Sequence, residues 1–259
     1  MHQTSIPAAP SRLLPLRLRE DCGALLVRQL AGPIGLRPEQ IDGLHALHGR
    51  HRLLPAGETL FHLGENLGAL FVLRQGSLKS VAIDEDGNEQ VIGFHLPGEL
   101  IGLDALGSGR HRCQAVALES SEVCELNMAQ LETAAREVPG LQHGLLRLMG
   151  HTVEYDQDHL SILSRPQALE RLAMFLVNLT GRLQAQGLDG KRFTLPMSRA
   201  EIASYLGIVI ETVSRSFGRL QEDGLIRIAG RKVQLLDLPR LCALAHCTHL
   251  VSEVGGRRA

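Results

Sequence analysis

The chain has 259 residues, room for two domains, and its 44% hydrophobic content can fill two cores. Its 27 lysines and arginines are balanced by 28 aspartates and glutamates, for a formal net charge of −1, so any positive surface for a polyanion has to be concentrated locally. Five scattered cysteines make no disulfide framework, and 3% aromatics argue against a stacking platform for single-stranded nucleic acid.

No apolar run approaches the roughly 18 residues that span a bilayer. Pro7, Pro10 and Pro15 interrupt the stretch where a signal peptide would need an apolar core. The expectation is a soluble, cytoplasmic protein with no membrane partner, with residues 1–35 as an N-terminal arm. His45, His48 and His51 recur beside Arg50 and Arg52, which reads as a solvated basic stretch rather than a metal or haem site. From about Leu53 to Leu126, Gly76, Gly87, Gly98 and Gly109 recur at a spacing of 11, with apolar runs such as Leu70–Leu73 and Val91–Leu96 between them. That punctuation predicts short strands and a jelly-roll β-barrel over residues 36–138. Asp86-Gly87 predicts a hairpin turn. The acidic turn Asp84-Glu85-Asp86, close to Glu89, is either solvated turn charge or a protein-contact loop.

After Pro139 one long helix is predicted over residues 139–165, ended by the restriction that Pro166 places on its predecessor. Within it Leu146, Met149, Val153, Asp156, Leu160 and Leu163 are spaced 3, 4, 3, 4, 3, a coiled-coil seam with one polar member. A two-stranded seam implies a homodimer; the alternative is a helix packed on its own β-domain. Parallel pairing would set two Asp156 carboxylates across the seam, where like charges raise a pKa and weaken association, so Asp156 is expected to make dimerisation conditional.

Residues 166–250 read as a DNA-binding domain, followed by a tail over 251–259. Ser198, with Glu201 three residues on, forms a capping box ahead of Ile202, Ala203, Tyr205 and Leu206, and Gly207 breaks that helix. After a turn over Ile208–Ile210, the segment from Glu211 to Gly224 puts Val213, Phe217 and Leu220 on one face and leaves Glu211, Ser214 and Arg215 elsewhere. This is the layout of a helix-turn-helix. Arginine can grip guanine O6 and N7, glutamate can accept from the cytosine amino group, and serine is a short adaptable donor. Between Lys191 and Lys232 stand eight basic residues against four acidic ones. Positive charge is therefore placed where phosphates would lie. Leu225–Ile228 and Lys232–Leu236, joined through Ala229, Gly230 and Arg231, read as a basic-tipped hairpin, a wing. Arg215, Glu211 and Ser214 are the expected base readers; Ser198, Arg199, Thr212, Arg231 and Lys232 are the expected phosphate contacts. A dimer of such domains calls for a near-palindromic duplex with half-sites about one helical turn apart.

The stretch Gly93-Phe94-His95-Leu96-Pro97-Gly98-Glu99-Leu100-Ile101-Gly102, the following Ala105-Leu106-Gly107-Ser108-Gly109, and Leu206-Gly207 through Glu211-Thr212-Val213-Ser214-Arg215 resemble the Crp/Fnr regulators, specifically the Fnr branch. The likeness runs from about Leu53 to His246. It implies an α+β architecture of sensory jelly roll, dimerisation helix and C-terminal winged helix, inverted repeats of TTGAT half-sites, and contact with RNA polymerase as an activator, for which the Asp84 turn is a candidate.

What the resemblance implies about a cofactor is divided. The Crp branch holds cyclic AMP with a Gly-Glu-Leu stretch and a downstream Arg-Ser or Arg-Thr pair; Gly98, Glu99 and Leu100 are present, but Arg110-His111-Arg112-Cys113-Gln114-Ala115 lacks the pair. Oxygen-sensing Fnr proteins hold a [4Fe-4S] cluster on four cysteines. Cys22 and Cys124 match two ligand positions, whereas Leu25 and Ala31 occupy the others and have no donor. Either another ligand such as Cys113 or a histidine is recruited, or there is no cluster, and Cys113 and Cys124 also read as small buried hydrophobes. Cys242, His246, Cys247 and His249 lack the paired spacing of zinc sites. No nucleophile elbow, P-loop or metalloprotease motif is present, so an enzyme is not expected. The reading is a dimeric regulator responding to a redox, oxygen, nitric oxide or small-molecule signal. The alternative is a sensor or interaction module of the same fold without specific DNA reading.

Overall fold

The computed structural model describes residues 49–137 and 141–247, which divide into two compact units at His159/Leu160. The first unit carries β1 (Arg50–Leu54), β2 (Thr59–Phe61), β3 (Ala69–Gln75), β4 (Leu78–Ile83), β5 (Glu89–His95), β6 (Leu100–Ile101), β7 (Gln114–Ala117) and β8 (Ser121–Asn127), then α1 (Met128–Glu137) and α2 (Leu141–Leu163). Two antiparallel four-stranded sheets, ordered β1-β8-β3-β6 and β2-β7-β4-β5, make the jelly-roll sandwich.

Ala69 to Leu73 of β3 are all buried because the strand is covered on both faces. Phe71 and Leu73 join Leu54, Phe61, Leu78 and Val123 between the sheets. Leu70 and Val72 join Cys124 and Leu126 on the other face, beneath Leu131 and Ala134 of α1 and Leu141 of α2. A strand buried on both sides reads as a continuous apolar run, which explains Leu70–Leu73.

The four evenly spaced glycines all have positive φ, from 71° at Gly109 to 92° at Gly98. At Gly76 the need is also spatial, since a Cβ would stand 2.7 Å from Ser121 Cα and 2.8 Å from Ser120 O. The hairpin turn expected at Asp86-Gly87 joins β4 to β5, which pair up to Ile83 and Glu89, and within it the Gly87 N–H donates to Asp84 O (3.0 Å). Asp84 organises it: its carboxylate accepts from the backbone N–H of Asp86 (3.0 Å) and Asn88 (2.8 Å) and from Asn88 Nδ2 (2.9 Å).

α2 lies inside the predicted 139–165 and stops at Leu163, ahead of Pro166. Its last residues, from Leu160, belong to the second unit rather than the first, so the compact boundary falls inside the helix and not after it. That unit continues with α3 (Ala168–Ala185), β9 (Arg192–Thr194), α4 (Arg199–Leu206), α5 (Ile210–Glu222), β10 (Ile226–Ala229), β11 (Lys232–Leu235) and α6 (Leu238–Leu244). α3 is its spine, packing against α4, α5 and α6, with the Phe175 ring 5.6 Å from that of Tyr205 on α4. The small sheet is ordered β10-β11-β9. Among the described residues no helix is long and apolar enough to cross a membrane.

Candidate nucleic-acid interface

The reading motif is built from its caps outward. Ser198 Oγ accepts from the Glu201 N–H (3.2 Å), and the Glu201 carboxylate accepts from the Ser198 N–H (2.7 Å) and hydroxyl (2.8 Å), a reciprocal box that starts α4. Gly207, at φ 61°, ends it in the left-handed conformation. The turn is then Gly207–Val209 and α5 starts at Ile210, one residue earlier than predicted; it ends at Glu222 rather than Gly224.

On α5, Val213, Phe217 and Leu220 are 0%, 2% and 0% exposed, while Glu211, Ser214 and Arg215 face solvent from the first two turns. Arg215 Nη2 donates to Thr212 Oγ1 at 3.1 Å, which orients the guanidinium along the helix surface. Two residues that the sequence reading placed in the turn also present themselves here: Val209 and Ile210 are 63% and 42% exposed. Their exposure becomes visible only in the fold, where apolar side chains stand open to solvent at the start of α5.

The wing stands beside this surface. β10 and β11 pair from Ile226↔Leu235 to Ala229↔Lys232, and β11 pairs on its other edge with β9. Gln221 Oε1 accepts from the Ile228 N–H (2.9 Å), tying α5 to the hairpin. Ser198, Arg199, Ser214, Phe217, Ile228 and Arg231 line a cleft of about 590 Å³ between helix and wing. Lys232 is exposed at the wing tip.

Two of the expected phosphate contacts are otherwise employed. The Ser198 hydroxyl is committed to the capping box. Arg199 lies over the Phe217 ring, 3.4 Å from its centroid, and its Nη2 donates to Gly230 O (3.4 Å), so it fastens α4, α5 and the wing together. Burial pushes its pKa down from the ordinary arginine value. Arg231 is exposed but spends Nη1 on Pro196 O (3.0 Å).

The seam residues of α2 form an apolar stripe. Leu146, Val153 and Leu160 are 64%, 53% and 66% exposed, Met149 and Leu163 are partly covered, and Asp156 is exposed among them. Partial burial raises the Asp156 carboxyl above its ordinary pKa, with His159 opposing the shift.

The sensor residues separate. Cys22 lies outside the described residues. Cys124 is fully buried in the cluster beneath α1 and α2 and is disulfide-bonded, against the expectation that the cysteines form no disulfide, whereas Cys113 is a free cysteine buried in the cluster between the two sheets. Among the described residues no three His, Cys, Asp or Glu side chains converge as metal ligands. The Cys113 thiol is pushed up to about 12, first by burial and then by Asp104, whose carboxylate it faces at 3.5 Å. Glu99 turns its carboxylate onto the Leu96 N–H (3.0 Å) of its own loop. His51 is not merely solvated, since Nδ1 meets Glu122 Oε1 (2.9 Å), which Arg74 also binds (2.9 Å). At the C-terminus Cys242 is buried, His246 Nε2 lies 3.6 Å from Glu170, and the Cys247 thiol donates to Ala245 O, while His249, like His45 and His48, is outside the described residues.

Comparison with known proteins agrees with this geometry. Residues 51–137 match the cyclic nucleotide-binding domain and residues 170–244 the Crp-like helix-turn-helix domain. The chain is 42% identical over 234 residues to the transcriptional activator protein anr of Pseudomonas aeruginosa, covering 90% of this chain and 95% of that protein. It is 38% identical over 233 residues to the fumarate and nitrate reduction regulatory protein of Escherichia coli, covering 90% and 92%. Among solved structures, FixK2 from Bradyrhizobium japonicum is 29% identical with a TM-score of 0.69, covering 76% of this chain and 96% of that one.

Proposed function

Because this chain belongs to the Crp/Fnr family, Fnr branch, and is a DNA-binding transcription regulator rather than an enzyme, we propose that it works as a homodimeric activator on inverted repeats of TTGAT-like half-sites. One observation carries the reading: on α5 the polar trio Glu211, Ser214 and Arg215 is exposed while the opposite stripe is fully buried. Arg215 reads guanine, Glu211 the cytosine amino group, and Ser214 a thymine or phosphate. Val209 and Ile210 add apolar surface suited to thymine methyl groups. Thr212, Arg231 and Lys232 meet phosphates, and Ser198 and Arg199 hold the motif in shape.

Dimerisation runs through α2, whose exposed Leu146, Val153 and Leu160 need a second copy to cover them. Asp156 keeps that association conditional on a redox, oxygen, nitric oxide or small-molecule signal received by the jelly roll. RNA polymerase is met by Glu85 and Asp86, exposed on a loop that Asp84 holds, and by Glu89, exposed at the start of β5.

The test is binding to a TTGAT inverted repeat and to a scrambled duplex at one salt concentration. Arg215→Ala should cost about 1–3 kcal/mol on the repeat alone, while Lys232→Ala should weaken both duplexes alike and flatten the salt slope by about one unit. Equal losses on both duplexes for Arg215→Ala would leave only a sensor or interaction module without specific reading.

A further inference from the structure

Arg171, near the start of α3, donates Nε to Arg165 O at 2.8 Å and Nη1 to Leu206 O at 3.0 Å and Gly207 O at 3.4 Å. These carbonyls belong to two different places in the chain. Arg165 lies in the segment between α2 and α3; Leu206 ends α4 and Gly207 opens the turn into the reading helix. The C-terminal carbonyls of a helix lack intrahelical donors and form its negative pole, so a guanidinium is well matched to them. Leu163 Cδ2 lies 3.4 Å, and Arg171 Nη1 3.7 Å, from where a Cβ on Gly207 would stand. The last turn of α2, the connecting segment and the helix-turn-helix corner therefore meet around one side chain.

We propose that Arg171 is a positioning residue that fixes the aim of α5 relative to the last turn of the seam helix, and so sets the half-site spacing that the dimer accepts. The proposal rests on the dimeric DNA-reading function above. A one-base-pair change of spacing moves a half-site by about 3.4 Å and turns it by about 35° around the duplex. Reading heads held rigidly at the ends of a paired helix cannot follow that displacement; loosened heads can. Lysine cannot replace the fork, because a single ammonium on a flexible stem does not hold three carbonyls in one plane.

The experiment uses the full chain and a series of duplexes carrying the TTGAT inverted repeat with the central spacer varied one base pair at a time. Wild type, Arg171→Ala and Arg171→Lys are titrated at fixed salt, with thermal melting and sedimentation alongside; the lysine variant keeps the stem and charge if alanine fails to fold. Wild type should prefer one spacing over its neighbours by about tenfold or more, and both variants should shrink that ratio at least about threefold with the dimer constant unchanged. Variants that lose affinity equally at every spacing, keeping the wild-type ratio, would overturn the proposal and leave Arg171 a fold stabiliser. A wild type that binds the scrambled duplex as well as the repeat would overturn the underlying DNA-reading function as well, and is told apart by that control.

Discussion

Replacing Arg199 separates a fastener from a phosphate ligand. Its guanidinium lies 3.4 Å from the Phe217 ring centroid, with Nη2 on Gly230 O at 3.4 Å. A cation–π contact of this partly desolvated kind contributes about 1–2 kcal/mol. The long bond to Gly230 adds about 0.5 kcal/mol at most. For a domain of this size about 1 kcal/mol shifts the midpoint by about 4–8 °C, so Arg199→Ala should lower the melting temperature of the DNA-binding unit by about 4–20 °C in calorimetry. A double-mutant cycle with Phe217→Leu should return a coupling of about 1 kcal/mol. DNA affinity should fall by one common factor on specific and random duplexes as the wing loosens, with the slope of log K against log salt unchanged. The opposite pattern, an unmoved melting temperature and a slope flattened by about 0.9, would mean that Arg199 neutralises a phosphate and that the stacking carries no weight.

Asp156→Ala should tighten the dimer by about tenfold in sedimentation, by removing like charges from the seam. Two Asp156 carboxylates brought together across the seam would raise each other's pKa in the dimer relative to the single chain, so the dimer should weaken as pH rises through the carboxylate range. That pH dependence should vanish in the variant, and an identical pH profile would exonerate Asp156. Gly76→Ala forces a Cβ against Ser121 Cα and Ser120 O at positive φ, so a loss of about 3 kcal/mol or more is expected from urea midpoints; a loss under about 1 kcal/mol would mean that β3 and β4 yield easily. With its thiol pushed up to about 12, Cys113 should resist iodoacetamide at pH 8 in the native protein and react only in urea, as peptide mapping would reveal; labelling at a free-thiol rate would contradict the burial.

The parts legible in the sequence are those whose determinants are local. Ser198 and Glu201 sit three residues apart, Gly207 is the left-handed cap they require, and Val213, Phe217 and Leu220 share a helical face, so the motif is written in one short stretch. The glycines at 76, 87, 98 and 109 are likewise local, each meeting a positive φ. The start of α5 was misplaced by one residue because its N-cap is Val209, which has no side-chain acceptor and so leaves no signal. β9 was missed because its three residues become a strand only by pairing with β11, some forty positions later. α1 follows β8 directly, with Asn127 accepting from the Ala129 N–H (2.9 Å) and only Leu131 and Ala134 buried, too few apolar positions for a period to stand out. Arg171 and Arg199 could not be read at all, since what each holds is brought to it by the fold.

The same distinction separates two buried cysteines. Cys113 and Cys124 are both buried cysteines of one β-domain, and only the family resemblance singles out Cys124 in the sequence. The fold sets them apart: Cys113 faces the space between the sheets with Asp104 holding its thiol, while Cys124 faces Leu131, Ala134 and Leu141, the residues that seat α1 and the root of α2. Leu145 and Leu148, either side of the first seam residue Leu146, pack onto that same cluster. Interiors are close-packed, so an added or lost atom at Cys124 displaces its neighbours rather than being absorbed. A change at Cys113 meets strands of the two sheets; a change at Cys124 meets the helix that carries the dimer stripe. Of the two cysteines, only Cys124, whose sulfur is engaged in a disulfide, lies in the cluster onto which Leu145 and Leu148, the neighbours of Leu146, also pack.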